Sequence, residues 1–220
     1  MKRKWVFLGL MIGLLLSSHA AVDARSGGAF GGGGVLVGQL AVDLGDLNTM
    51  LEGAGFEPLE GRMLVFGGGG AGGTLDWNIG GWGCGGQVKS SNASQEATLA
   101  LGLGGLSFHR TVPLGSALLS GGLLLGGGVA ELALVHRENP SLEEAIAGRY
   151  ESTFQNEFLA AAPTVGIRVH LSDLILLHAE GGYLATLGEW KFQGRSMSGL
   201  PKIGGPLIRI GVELGGSTLR

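Results

Sequence analysis

One cysteine in 220 residues leaves no partner for an intramolecular disulfide, so Cys84 reads as a small apolar filler in a strand. Charged residues are scarce at 15 % and aromatics scarcer at 6 %, and the formal net charge is −3. No basic stripe exists to track a phosphate backbone, so nucleic acid is not expected as a partner. No apolar run reaches the roughly 20 residues that a membrane-spanning helix needs. The glycines at 31–34 are not followed by Gly-Lys-Ser/Thr. His109, His136, His170 and His178 lack a metal-ligand spacing, and no Gly-x-Ser-x-Gly elbow occurs. These absences nominate no catalytic residue, no cofactor and no metal, and the chain is expected not to be an enzyme.

What is present begins with a leader. Met1-Lys2-Arg3-Lys4 is basic, Trp5 to Leu16 is apolar apart from Gly9 and Gly13, and small residues allow cleavage after Ala20 or Ala24. This is the three-part layout of a signal peptide, assigned here to residues 1–24, with a single domain over 25–220. Cleavage after Ala24 removes Lys2, Arg3, Lys4 and Asp23, three cations and one anion, which takes the formal charge from −3 to −5.

Forty-five glycines are about three times the ordinary frequency of roughly 7 %. They show no three-residue period and are interleaved with Leu, Val and Ile, so neither collagen nor a disordered linker fits. Glycine within a strand costs backbone entropy, and so many of them imply crowding, bulges or close backbone approach. A narrow barrel lumen would supply the crowding.

The strand signal is clearest late in the chain. Leu159, Ala161, Pro163, Val165, Ile167, Val169 and Leu171 alternate with Gly166, Arg168 and His170. Ile175, Leu177, Ala179, Tyr183 and Leu187 alternate with His178, Glu180 and Gly182. Ile208, Ile210, Val212 and Leu214 alternate with Arg209, Gly211 and Glu213. A period of two is that of a strand with one apolar face. Eight strands are expected, near 30–42, 62–74, 75–88, 95–111, 117–136, 154–171, 174–192 and 206–215. Short helices are expected at 46–52, with Leu47, Met50 and Leu51 on one side, and at 142–147. Phase breaks at Gly104-Gly105 and Gly126–Gly128 suggest bulges that reset the alternation. The stretch 138–152 is the candidate exposed recognition loop.

Orientation decides the class. With the oily faces outward, the chain is an all-β, eight-stranded antiparallel up-and-down barrel in the outer membrane, with lipid as its surroundings. Arg168, His178, Glu180, Arg209 and Glu213 then form an interior polar network, Arg168 lying opposite His178 and diagonal to Glu180. With the faces reversed, the same strands make a soluble periplasmic or secreted barrel or sandwich that binds a small apolar ligand. A mean hydropathy of +0.33, few charges and glycines on the polar face favour the membrane. Eight strands enclose a space that side chains fill, which favours a structural or surface-contact role over an open pore.

Asp43-Leu44-Gly45-Asp46-Leu47-Asn48, then Gly55-Phe56, Phe66-Gly67-Gly68-Gly69-Gly70-Ala71-Gly72-Gly73 and Gly80-Gly81-Trp82-Gly83-Cys84-Gly85-Gly86, resemble a group of Gly-rich exported bacterial proteins with no assigned activity. The architecture is similar to that of small eight-stranded outer-membrane barrels. The resemblance implies that fold and location, possible envelope or surface partners, and no residue roles.

Overall fold

The computed structural model describes residues 29–74, 77–114, 117–136, 150–197 and 200–217. The leader at 1–24 and the helix expected at 142–147 lie outside them, as does most of the 138–152 loop. Strands β1 (Ala29–Ala41), β2 (Arg62–Thr74), β3 (Trp77–Ser91), β4 (Gln95–Leu114), β5 (Ala117–His136), β6 (Glu151–His170) and β7 (Ile175–Phe192) follow one another, with helix α1 (Gly45–Gly53) between β1 and β2. A three-residue β8 (Arg195–Met197) precedes β9 (Gly205–Ser217). All pairings are antiparallel, and β9 joins both β7 and β1, so eight long strands close into a barrel.

The register fixes the shape of the cylinder. Phe30 pairs with Gly73, then the row continues through Asn78, His109, Gly122, Thr164, Gly182 and Leu207 to Leu40. One circuit therefore returns to β1 ten residues farther along. With strands ~4.8 Å apart and ~3.3 Å per residue, that stagger tilts them ~40° from the axis. Each residue then climbs ~2.5 Å along the axis.

Alternation sorts the side chains by face. Leu159, Leu187 and Val35 on the outside are 69 %, 79 % and 71 % exposed. Arg168, Glu180 and Arg209 on the inside are 3 %, 4 % and 4 % exposed. A soluble barrel would need the opposite arrangement. Outward residues of β6 are apolar from Leu159 to Val169, ten residues or ~25 Å of axial height, the thickness of the apolar band on membrane barrels.

Two expectations are corrected. The ladders run without interruption through Gly104-Gly105 and Gly126–Gly128, so neither pair of strands carries a bulge there. Leu99, Leu101 and Leu103 simply point inward, while Leu106 and Phe108 point outward. Both faces of β4 are apolar, each at its own height, because the interior has two tiers. Around Leu40, Met63, Val65, Leu99, Leu132 and Leu184 it is hydrophobic; nearer the chain termini it is polar. Glu131 shares the outward, otherwise apolar face of β5 with Leu123, Leu125 and Val129, and accepts from Gln155 at 3.3 Å. Arg195 opens β8. Gln193 (φ 49°) and Gly194 (φ 81°) make the tight two-residue turn that joins β7 to β8.

The hydrophobic tier is capped. Asp43 accepts the Gly45 amide at 3.1 Å as α1 begins, and Gly55 at φ 87° ends it, with Phe56 N–H returning to the Leu51 carbonyl at 2.9 Å. Leu47 and Leu51 enter the core with Leu44, Phe56 and Leu59, but Met50 faces out. Asn48 exchanges two hydrogen bonds of 2.9 Å with the Leu59 backbone. Asn92 and Gln95 donate to the Gly55 and Ala54 carbonyls, at 2.9 and 3.1 Å, across the rim.

Glycines answer to wall curvature on the inner face. A Cβ at inward Gly34 would overlap the Val212 carbonyl oxygen, and at inward Gly126 that of Gly104. Outward Gly102 has nothing within 4 Å of a Cβ. We expect Gly34→Ala to lower stability by about 1–3 kcal/mol or more, from forced backbone shifts, and Gly102→Ala to stay within about 1 kcal/mol of wild type, in thermal unfolding followed by circular dichroism in detergent. Equal shifts would contradict the tight inner curvature.

Candidate functional site

The polar tier gathers residues from β3, β4, β5, β6, β7 and β9 at comparable heights, because the ten-residue stagger brings distant sequence positions onto one level. Cross-strand pairing sets Arg168 directly opposite His178, and Glu180 opposite Arg209. Arg209 Nη2 donates to Glu180 Oε2 at 2.8 Å. His178 lies between two carboxylates, Nε2 at 3.1 Å from Glu180 Oε2 and Nδ1 at 3.2 Å from Glu213 Oε1. The Nε2 contact has ion-pair distance without hydrogen-bond alignment. Arg168 Nε stands 3.4 Å from Glu213 Oε2. All five residues expected inside are thus in one connected cluster, formally two cations and two anions bridged by an imidazole.

Further members escaped the sequence reading. His109 Nε2 approaches Glu180 Oε1 at 3.5 Å, and Arg209 stacks over the Trp82 ring with its guanidinium carbon 5.5 Å from the centroid. Asn78 donates to Thr111 Oγ1 at 3.0 Å, and Ser120 to the Gly166 carbonyl at 3.3 Å. A usable signal was there: Ser107, His109 and Thr111 share the phase of Leu103, so keeping the alternation unbroken through Gly104-Gly105 would have put them inside.

A cavity of about 60 Å³ lies beside this cluster, walled by Gly32, Gly34, Gly69 and Trp82 and reached by His109 and Arg168. That volume has room for a few water molecules and is too small for an organic ligand. His109 Nδ1 has no protein hydrogen-bond partner, and a water in that space would satisfy it. Among the described residues no three His, Cys, Asp or Glu side chains are grouped to hold a metal ion. Cys84 is buried in the wall near the junction of the tiers, among aliphatic neighbours of the core. The chemistry available to the cluster is electrostatic: it ties β6, β7 and β9 together through groups that have left water.

No family model matches the chain. No curated protein matches it. Among solved structures, the attachment invasion locus protein Ail of Yersinia pestis, solved with the heparin analogue sucrose octasulfate, aligns over 87 % of this chain and 99 % of its own at 12 % identity, with a TM-score of 0.48. The outer membrane protein OprG of Pseudomonas aeruginosa aligns over 87 % and 96 % at 15 % identity and a TM-score of 0.45. The outer membrane protease OmpT of Escherichia coli aligns over 91 % and 98 % at 6 % identity and a TM-score of 0.35. None of them supplies a role for a residue here.

The network makes a sharp mutational expectation. Removing one partner strands a buried charge, at about 3–5 kcal/mol, whereas replacing both with apolar groups is often neutral. Glu180→Leu alone should therefore destabilise strongly, and adding Arg209→Leu should restore much of the loss. Arg168→Leu should cost more than Arg195→Leu on the exposed β8. Chemical unfolding of folded barrel in detergent reads these four and the single Arg209→Leu, and additive losses at Glu180 and Arg209 would refute a coupled pair.

Proposed function

We propose that this chain is an outer-membrane β-barrel with a closed lumen and a structural or surface-contact role, and that it is not an enzyme. The observation that carries the reading is the inversion of polarity: aliphatic side chains cover the outside of the barrel while arginine and glutamate are enclosed. An apolar surface of this extent is unstable in water and suits acyl chains. No helix among the described residues is long and apolar enough to cross a membrane. The leader is consistent with export.

Connection lengths support an orientation. β2–β3, β4–β5 and β6–β7 are joined by two, two and four residues at the end that carries both termini. At the other end β3–β4 is also short, three residues, but the long connections, including the α1 cap between β1 and β2, lie there. Membrane barrels keep short turns on the periplasmic side and longer loops outside. The cap thus faces the exterior, and Asp43, Asp46, Glu52, Glu57 and Glu60 lie exposed on it. The packed hydrophobic tier under the cap argues against diffusion through the lumen.

Fractionation tests the location. The protein should stay with outer membranes through a high-salt wash, and its unboiled form should migrate differently from its boiled form in detergent gels. Recovery in the salt-washed soluble fraction would overturn the reading. Purified barrel in planar bilayers should give no steady conductance, and a stable ohmic channel would contradict the closed lumen.

A further inference from the structure

The outer band has one charged exception. From Leu64, Ala100, Val129, Leu159 and Leu187 to the terminal end, the outward positions of the described strands are apolar or small and uncharged except at Arg110. Arg110 is exposed on β4, flanked along that strand by outward Phe108 and Val112. Trp77 of β3 is its direct partner on one side, and the guanidinium carbon lies 6.0 Å from the Trp77 ring centroid. On the other side its partner is Gly121 of β5.

Gly121 is exposed, and a Cβ there would meet nothing within 4 Å, so neither curvature nor packing requires glycine at this position. Its absent side chain leaves a notch one residue wide. Leu119 and Leu123 border it along β5, and exposed Val165 borders it on β6. The site thus combines an apolar groove with a cation on its rim. Among the described residues no carboxylate lies within ion-pair reach of Arg110, and the guanidinium is open to a charge complement at the outer wall.

Height selects the partner. Arg110 is four residues, ~10 Å of axial rise, from the end of β4 at Leu114, and an extended arginine spans much of that distance to the interface. An aromatic beside a snorkelling cation is typical of the headgroup level. We propose that Arg110, Trp77 and Gly121 form a phospholipid site on the outer wall, facing the leaflet at the terminal end. The guanidinium takes the lipid phosphate by charge-assisted hydrogen bonds, and one acyl chain lies in the notch over Gly121.

This inference rests on the membrane reading above, and the experiment separates the two. Full-length barrel folded in detergent, with its gel shift on boiling as the check on fold, is titrated with phosphatidylglycerol and followed by native mass spectrometry. Wild type should hold one lipid. Arg110→Leu and, by filling the notch, Gly121→Leu should each weaken retention roughly ten-fold or more, with Arg110→Lys between. Inorganic phosphate alone should not bind. Folded Arg110→Leu with wild-type lipid retention overturns the proposal, as does inorganic phosphate binding as strongly as the lipid. Loss of the gel shift in wild type would instead strike at the membrane reading.

Discussion

Closure of eight strands with a ten-residue stagger is the constraint on which the remaining structure depends. It makes a narrow cylinder, and the inner surface of a narrow cylinder has little room for side chains. Inward glycines such as Gly34 and Gly126 follow from that geometry, since neighbouring carbonyls occupy the space a Cβ would take. The stagger also brings Arg168, His178, Glu180, Arg209 and Glu213 from three strands onto one level. Closing the cylinder forces those charges together, and their mutual neutralisation makes their removal from water tolerable.

The two interior tiers divide the work. Near the termini, ionic and hydrogen-bonded groups join strands across the lumen beside a cavity of solvent size. Toward the long connections, aliphatic side chains pack as in a soluble core and are sealed by Leu44, Leu47, Leu51, Phe56 and Leu59 of the cap. Side chains of both tiers thus occupy the lumen, as the proposed closed barrel requires. The outer wall then carries what contact with surroundings there is: an aliphatic band, and at one place a cation beside a bare backbone.

Legibility in the sequence followed chemical contrast between faces. β6, β7 and β9 were plain because Gly166, Arg168, His178, Glu180, Gly182, Arg209, Gly211 and Glu213 face inward between outward aliphatic residues, and the expected pairing of Arg168 with His178 is the observed register. β4 and β5 were misread because Leu99 and Leu106 are both apolar on opposite faces, which imitates a phase change. In β1 to β3, glycine on both faces erased the signal, although the strand boundaries were still near those observed. Helix α1 was visible from its spacing, while Met50 shows that a three-residue apolar pattern does not define the buried side. β8 was missed because three residues carry no period, and only the Gln193-Gly194 turn marked it.

The claim beneath all of this is that the oily face of each strand meets lipid. It is tested most directly by placing single cysteines, in a chain with Cys84→Ser, at Val165 and at Thr164, neighbours whose side chains point to opposite sides of the wall. A polarity-sensitive label at Val165, in barrel reconstituted into vesicles, should be quenched by nitroxide-bearing acyl chains and ignored by aqueous iodide, whereas one at Thr164 should escape the lipid quencher. Iodide quenching at Val165 without lipid quenching would mean that water, not the bilayer, surrounds the barrel.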